Sequence, residues 1–400
     1  MQQMKSSRTL SIALAMMMIV ALSLSTPILG GCGKNGGEDR LLITIVDNDD
    51  SPPPSEAPGD IDTVLGPSPI DGGPTIRIVC WEGFLPEDLL NEFEDGSGIT
   101  VEISPPAEPF DPMVFFPEHG NEYDLVLVDD FIIAELRHQG HLAQLNRSHL
   151  TNLDNIDPFF LLHPNDAGRK YSVPIIWGTL GILVNRNLVT EADIGWDILF
   201  DPRYSGLIDM PFEHFVLLVP PLKVLGYSIN ERNPDILEDA GDLLMDQKKI
   251  IRGYFDHDQV ITHLVEGSSA VAYAWNWSGM NAIDMGGNVE YVVPKSGTLI
   301  WTDCLVIPKE SPNKPEAEEF LDFLLVPDNM ARISDHLWAA NTVRSSWDGV
   351  NPALRDMEEV FIPEQTLTNS EYLEPFGPES EEILMELIDE LFNIDDAYEQ

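Results

Sequence analysis

Over most of the chain, short apolar segments with strand character alternate with amphipathic helical segments. The first three strands are predicted at Ile76–Cys80, Ile99–Ile103 and Asp124–Val128. Pro86 opens a helix between the first two strands, and a second helix is predicted at about 131–139. Strands that alternate with helices favour an α/β fold with a parallel type of sheet. This region holds about 325 residues, more than one hydrophobic core usually contains, so two domains are expected.

The same alternation continues towards the C-terminus. A further strand is predicted to begin at Gly181–Asn185, and others to cover Ala270–Trp275, Val289–Val293 and Leu305–Pro308. Helices are predicted around 236–245 and 315–325. Near the end, apolar residues at four-residue spacing predict an amphipathic helix that packs on the rest of the chain: Ile383, Leu384, Leu387, Ile388, Leu391 and Phe392.

The first 31 residues have the features of an export signal. Lys5 and Arg8 form a positively charged start, and an apolar run from Leu10 to about residue 24 follows. This run is shorter than the roughly 20 apolar residues that a bilayer-spanning helix needs. The sequence Leu29-Gly30-Gly31-Cys32 resembles the lipobox of bacterial lipoproteins, whose cysteine is acylated and becomes the first mature residue. We expect removal of residues 1–31 and a lipid on Cys32; an ordinary cleaved signal is the alternative.

Residues 32–73 differ in composition from the segments that follow. They are rich in Gly, Pro, Ser and Asp, and such a stretch cannot bury enough apolar surface to offset the entropy lost on ordering. We therefore predict a disordered acidic tether between the lipid anchor and the folded part of the chain.

The whole chain is strongly acidic. It has 68 acidic and 22 basic side chains and a net charge of −46. Nucleic acid is excluded as a partner because its phosphates would be repelled. The charge is compatible with a cationic ligand. General surface acidity, for solubility or a saline habitat, accounts for most of these side chains equally well.

The sequence lacks the motifs typical of enzymes and metal sites. It has no G-x-S-x-G nucleophile elbow, no H-E-x-x-H and no glycine-rich phosphate loop. The histidines are scattered; His138 and His141 are close in sequence, but Gly140 ends the helix between them. The chain is therefore predicted not to be an enzyme, and neither a cofactor nor a metal is expected.

Aromatic residues occur next to four predicted strands, and at three of them an acidic residue is adjacent. The segments are Trp81 and Glu82, Asp129 to Phe131, Trp275 to Trp277, and Trp301 to Asp303. In open α/β sheets ligands bind beyond the carboxyl ends of strands. Aromatic faces attract a cation and pack on methylenes, and carboxylates accept its N–H groups, so this combination suits an alkyl ammonium. Each tryptophan taken alone would be expected in a core or an interface.

These segments resemble the spermidine/putrescine-binding periplasmic proteins of bacterial ABC importers. The resemblance extends from about Thr75 to near the C-terminus. It rests on the following segments: Trp81-Glu82-Gly83-Phe84-Leu85-Pro86, Tyr123-Asp124-Leu125-Val126, Leu150-Thr151-Asn152-Leu153, Ser172-Val173-Pro174-Ile175-Ile176-Trp177-Gly178, Leu225-Gly226-Tyr227-Ser228, Trp275-Asn276, Trp301-Thr302-Asp303 and Ile307-Pro308.

The resemblance implies a two-lobed, periplasmic-binding-protein-like α/β fold, in which two α/β domains are joined by a hinge and the ligand cleft lies between them. The N-terminal lobe would comprise residues 74–176 and 302–340, and the C-terminal lobe residues 177–301 and 341–400.

The resemblance also implies which residues bind the ligand. Trp81, Trp275, Trp301 and Asp303 match polyamine-contacting positions, with Trp301 stacked on the ligand chain and Asp303 holding one of its amines. The remaining expected site residues match less directly or depart from the family pattern. Glu213 lies near an acidic family position and Glu374 near a glutamine, two family tyrosines are replaced by Phe84 and Phe131, and small hydroxyl residues are replaced by Asp129 and Asp130.

The implied partners are a polyamine of the putrescine/spermidine class, the permease subunits of an ABC transporter, and the membrane through the lipid anchor. A monomer located outside the cytoplasm, in the periplasm or at the cell surface, is expected. Thiamine, ferric iron and aminophosphonates remain alternative ligands of such a scaffold, although the positions named above offer neither the tyrosine pair for iron nor the basic residues for a phosphonate. A surface hydrolase using a carboxylate pair such as Asp129 and Glu213 is the last alternative.

Two cysteines, Cys80 and Cys304, remain in the folded part. In the sheet order implied by the family, a strand separates theirs, so their Cα atoms would be nearly 10 Å apart, beyond the about 7 Å that a disulfide allows. Both thiols are predicted to be free.

Overall fold

The computed structural model describes residues 73–107 and 110–392. The predictions for the export signal, for Cys32 and for the tether up to residue 72 lie outside these ranges. Within them, no helix has both the length and the apolar composition needed to cross a membrane.

Eleven strands and twelve α-helices are defined in the described part of the chain. The strands are β1 (Thr75–Val79), β2 (Thr100–Ser104), β3 (Leu125–Asp129), β4 (Ser172–Asn185), β5 (Ile208–Pro211), β6 (Gly253–Phe255), β7 (Val271–Trp275), β8 (Val289–Val292), β9 (Leu299–Val306), β10 (Ala340–Asn341) and β11 (Glu371–Tyr372). The helices are α1 (Glu87–Ser97), α2 (Pro112–His119), α3 (Asp130–His138), α4 (Pro158–Leu161), α5 (Val219–Leu225), α6 (Pro234–Gln247), α7 (His257–Glu266), α8 (Asn276–Asp284), α9 (Lys314–Leu324), α10 (Pro327–Leu337), α11 (Pro352–Arg355) and α12 (Pro378–Leu391).

Short 3₁₀ helices connect several of these elements. They lie at Gly120–Glu122, Thr151–Asn155, Pro164–Asp166, Trp196–Phe200, Pro202–Tyr204, Arg344–Gly349 and Glu364–Leu367.

The strands form a mixed sheet in the order β2-β1-β3-β9-β4-β7-β5-β6. The predicted parallel pairing holds for β1 with β2 and β3, but β9 and β4 run antiparallel to their neighbours. The family-implied order is confirmed, because β1 lies between β2 and β3 and β9 lies beyond β3.

The long strand β4 connects the two halves of the sheet. Its first half pairs with β9, up to Thr179 opposite Ile300, and its second half pairs with β7 and β8 from Leu180 onward. The prediction that a strand begins at Gly181 was wrong by nine residues. Pro174 and Gly178 are residue types that suggest a loop. Pro174 is nevertheless part of β4, because the pairing of β4 with β9 is irregular there and proline's missing backbone N–H is tolerated at such a position.

Position 178 of β4 must be glycine because the side chains of Asn276 and Trp301 lie very close to the backbone there. A Cβ atom at this position would lie 2.1 Å from Asn276 Oδ1 and 2.6 Å from Cζ2 of the Trp301 ring. Only glycine therefore allows the indole to lie against the β4 backbone.

The strand predicted at Leu305–Pro308 begins earlier, at Leu299. The sequence had suggested that Trp301, Thr302 and Asp303 precede this strand, but they lie inside β9. Aspartate is unfavourable in most strands, but all eight residues of β9 are buried because this strand is central in the sheet. The predicted lobe boundaries fall inside β4, β9 and β10, and the division into two lobes at those residues stays a prediction.

The C-terminal apolar stripe is confirmed as a packed helix. Leu384, Leu387, Ile388 and Leu391 of α12 are buried in one hydrophobic cluster with Leu237, Ala240 and Leu244 of α6. Cys80 and Cys304 are free and buried, as predicted.

Candidate ligand-binding site

One cavity is formed where the carboxyl ends of β1, β3, β5 and β7 meet the first half of β9. Eight of the eleven predicted site residues line it. Four are acidic: Asp129, Asp130, Glu213 and Asp303. Four are aromatic: Trp81, Phe131, Trp275 and Trp301. The lining contains no lysine or arginine among the described residues, so the walls combine negative charge with apolar surface.

The aromatic rings form a continuous wall. Phe131 stacks on Phe215 with ring centroids 5.1 Å apart and planes at 26°. Phe215 in turn lies 6.1 Å from Trp275 at 23°, and Trp275 meets Trp301 edge to face at 6.4 Å. Such rings give a ligand apolar contact area, and the negative electrostatic potential at their faces attracts a cation.

Asp129 and Asp303 form a carboxyl pair across the β3–β9 ladder, where they are direct partners. Burial, followed by the negative charges of Asp130 and Glu213, raises the pKa of Asp129 to about 7. Burial and the charges of Asp129 and Asp130 raise the pKa of Asp303 well above its usual value. A hydrogen bond joins the two carboxyl groups when one of them is protonated, and Oδ2 of Asp303 is buried without any other hydrogen-bond partner. Without a cation, this pair therefore tends to keep a proton.

Asp130 is also buried in the wall, but its carboxylate is occupied by other residues of the chain. Oδ2 accepts hydrogen bonds from the backbone N–H and the hydroxyl of Thr302, both at 2.8 Å, and lies 2.9 Å from Nε2 of His163. These contacts tie the start of α3 to β9, so Asp130 supports the shape of the wall beside Asp303.

Glu213 follows β5 and forms a second acidic position. Its Oε1 accepts a hydrogen bond from Nε1 of Trp275 at 2.7 Å and lies 2.7 Å from Nε2 of His257. Its Oε2 is buried and has no partner. A buried carboxylate oxygen without a donor costs free energy unless a ligand or water supplies one, so this oxygen is a candidate contact point.

Three predicted site residues do not line the cavity. Glu82 is exposed at the surface, and Phe84 is buried in the hydrophobic core. The backbone N–H of Glu374 donates to Asn230, its carboxylate lies 3.6 Å from Arg232, and the neighbouring Leu373 reaches the cavity instead.

The comparisons with known proteins begin with a family model. The model of the bacterial extracellular solute-binding proteins matches residues 121–356, more than half of the chain. The chain belongs to this family. The spermidine/putrescine-binding periplasmic protein of Escherichia coli is 28% identical over 315 residues, which cover 78% of this solute-binding protein and 89% of the relative.

Two further relatives are similar over most of their length. The putrescine/agmatine-binding protein of Pseudomonas aeruginosa is 27% identical over 317 residues, covering 73% of this chain and 85% of its own. The structure of PotD, the spermidine/putrescine ABC transporter substrate-binding protein of Streptococcus pneumoniae, superposes with a TM-score of 0.73 at 24% identity. It covers 80% of this chain and 98% of that chain, and it shows that the fold is of the two-lobed periplasmic-binding-protein type.

The site of this solute-binding protein also contains residues that the sequence did not reveal. Phe215 follows Glu213 in a segment without a recognisable pattern. Leu299 and Ile300 were missed because β9 was predicted to start too late, whereas Leu127 and Val128 are ordinary strand residues whose access to the cavity depends on tertiary packing. Of these, only Leu299 and Ile300 could have been found, by extending the apolar run that ends at Trp301.

Proposed function

We propose that this solute-binding protein captures a di- or polyamine of the putrescine/spermidine class for an ABC importer. The observation that carries the proposal is the pair of buried, unpartnered carboxylate oxygens, Asp303 Oδ2 and Glu213 Oε2, in one cavity with aromatic walls. A ligand with ammonium groups and a methylene chain meets both requirements, because it supplies N–H donors to the oxygens and apolar surface to the rings.

The roles of the site residues follow from their positions. Asp303, with Asp129 opposite, accepts N–H bonds from one ammonium group, and Oε2 of Glu213 accepts from another. Charge-assisted bonds of this kind are roughly twice as strong as neutral ones. Trp301 and Trp275 pack on the methylenes, and Trp81 and Phe131 complete the wall. The names of the relatives, which include spermidine, putrescine and agmatine, support this ligand class.

The proposal includes the location and partners of the protein. A lipid on Cys32 would hold the folded part outside the cytoplasm through the acidic tether, and permease subunits of an ABC transporter would receive the ligand from the monomeric protein. Mass spectrometry of the mature N-terminus tests the anchor. A mature chain that begins elsewhere, or an unmodified Cys32, would contradict it.

Calorimetry tests the ligand class. Putrescine or spermidine is expected to bind with a stoichiometry of one, whereas thiamine, a neutral sugar and an amino acid are expected not to bind. Binding of thiamine or the sugar without either amine would overturn the polyamine proposal. Amine recovered unchanged after prolonged incubation supports binding without turnover, and a released product would favour the hydrolase alternative.

A further inference from the structure

We infer that His257 is a positioning residue of the ligand site, which fixes the carboxylate of Glu213 so that one oxygen is reserved for the second ammonium group of a diamine. This inference rests on the proposed function and deepens it, because it explains why a ligand with two ammonium groups would bind more tightly than a ligand with one.

His257 is the first residue of α7. It contacts Glu213 but does not line the cavity. Its Nε2 atom is 2.7 Å from Oε1 of Glu213, and the two side chains are 12% and 13% exposed. Because a carboxylate only accepts hydrogen bonds, Nε2 carries the proton and donates it. His257 therefore contacts the ligand site only through Glu213.

Two donors meet on the same oxygen of Glu213. Nε1 of Trp275 donates to Oε1 at 2.7 Å, as His257 does, whereas Oε2 receives no hydrogen bond and is buried. The two donors come from different elements, α7 and the end of β7, and together they fix the position of Oε1. Oε2 is then left as the acceptor for an incoming N–H group.

The imidazole is itself held in place. Its ring packs edge to face on Trp277, with centroids 5.1 Å apart and planes at 63°. Trp277 packs on His257 without lining the cavity itself. Trp277 holds His257 in place, and His257 holds Glu213. The carboxylate is therefore already ordered before the ligand binds, and binding does not have to supply the free energy of ordering it.

The Asp129–Asp303 pair and Glu213 are expected to contribute differently to the affinity for amines with one and with two ammonium groups. An amine with one ammonium group, such as butylamine, is expected to use the Asp129–Asp303 pair, where two carboxylates face one cation. Putrescine has the same carbon chain with a second ammonium group, which alone needs Glu213. The ratio of the two dissociation constants therefore measures the contribution of the Glu213 position separately from the rest of the site.

The test is calorimetry of His257→Phe with putrescine and butylamine. Phenylalanine keeps the ring that packs on Trp277 but removes the donor to Glu213. The Kd of putrescine is expected to rise about tenfold, the equivalent of roughly half a charge-assisted hydrogen bond, while that of butylamine changes by less than about twofold. His257→Gln, whose amide N–H has similar reach, should restore most of the putrescine affinity.

His263 provides the matched control, since it lies on the same helix and its Nδ1 is 2.7 Å from Oδ2 of Asp209, outside the cavity. Its ring also packs on an aromatic residue, Phe255, at 4.8 Å. His263→Phe should leave the ratio of the two constants unchanged even if it lowers stability. An equal loss of both ligands in His257→Phe, or the same change of ratio in the control, would overturn the positioning role. A wild-type protein that binds neither amine would instead overturn the proposed function on which it rests.

Discussion

Buried carboxylates in the cavity differ in whether their oxygens already have partners. Asp130 bonds to Thr302 and His163 and is part of the folded framework. Asp303 and Glu213 each retain an oxygen that is buried and unpartnered. A carboxylate therefore stabilises the fold at Asp130, whereas at Asp303 and Glu213 it offers a free hydrogen-bond acceptor to a ligand. The family resemblance singled out Asp303, but nothing in the sequence separates Asp129 from Asp130, which only their contacts distinguish.

Asp303→Asn tests the acceptor role directly. The substitution keeps the shape of the side chain but removes its charge, so the affinity for putrescine should fall by roughly tenfold to over a hundredfold, from a loss of about 1.5–3 kcal/mol. Calorimetry measures the change. Glu82→Gln is the control, since Glu82 belongs to the same sequence pattern but is exposed and outside the cavity. Equal affinities in Asp303→Asn and the wild type would place the amine elsewhere.

The Asp129–Asp303 pair predicts a pH dependence of binding. Burial raises the pKa of Asp129 in the ligand-free protein to about 7, so this carboxyl is mostly protonated at pH 6. A bound ammonium favours the ionised form and expels the proton. Affinity for putrescine should thus rise about tenfold from pH 6 to pH 8, as expected for release of one proton.

Proton release is measured by calorimetry in buffers of different ionisation enthalpy. Asp129→Asn should flatten the pH profile, because the carboxyl that loses its proton is gone and Asp303 loses a negative neighbour. An unchanged slope in this variant would show that the released proton comes from another group. A wild-type affinity independent of pH would show that the pair is already ionised before binding.

At the scale of the elements, the sequence predicted seven of the eleven described strands but only five of the twelve described helices. It also shortened β4 and β9, and β9 is the one of these two that lines the cavity. The alternation of apolar runs and helices predicted β1 to β3 within one residue at each end, and the apolar stripe identified α12, which begins five residues before it. It failed at Pro174 and Gly178 in β4 and at Asp303 in β9, because these residue types usually interrupt strands. A central strand can hold them when neighbouring elements fill the space and supply contacts, and this depends on tertiary packing, which local sequence does not encode.

The strand order makes a separate chemical prediction about Cys80 and Cys304. Burial raises the pKa of both thiols to about 12, so neither forms an appreciable thiolate near neutral pH, and in the native protein both should resist alkylation. With Cys32 replaced by serine, the unfolded and unreduced chain should gain two alkyl groups by mass. A gain of two only after reduction would reveal a disulfide and contradict the order β1-β3-β9.

For the whole molecule, the net charge of −46 predicts how a cationic ligand arrives. The negative potential concentrates cations near the surface, and the acidic cavity directs them inward. Raising the salt concentration from 10 mM to 1 M shortens the screening length from about 30 Å to about 3 Å. The association rate constant for putrescine should fall on the order of tenfold over this range, as measured by stopped-flow tryptophan fluorescence, with a much smaller change in dissociation. An association rate independent of salt would show that the surface charge has no part in capture.

The close approach of Gly178 to Trp301 links the lining of the candidate site to the strand that joins the two halves of the sheet. In a protein that closes on its ligand, the measured Kd equals the intrinsic constant divided by the fraction of molecules already in the closed form. Substitutions in β4 that never touch the ligand can change this fraction. During evolution, such a protein can therefore shift its working concentration range by changes in the connecting strand while the residues that choose the ligand stay the same.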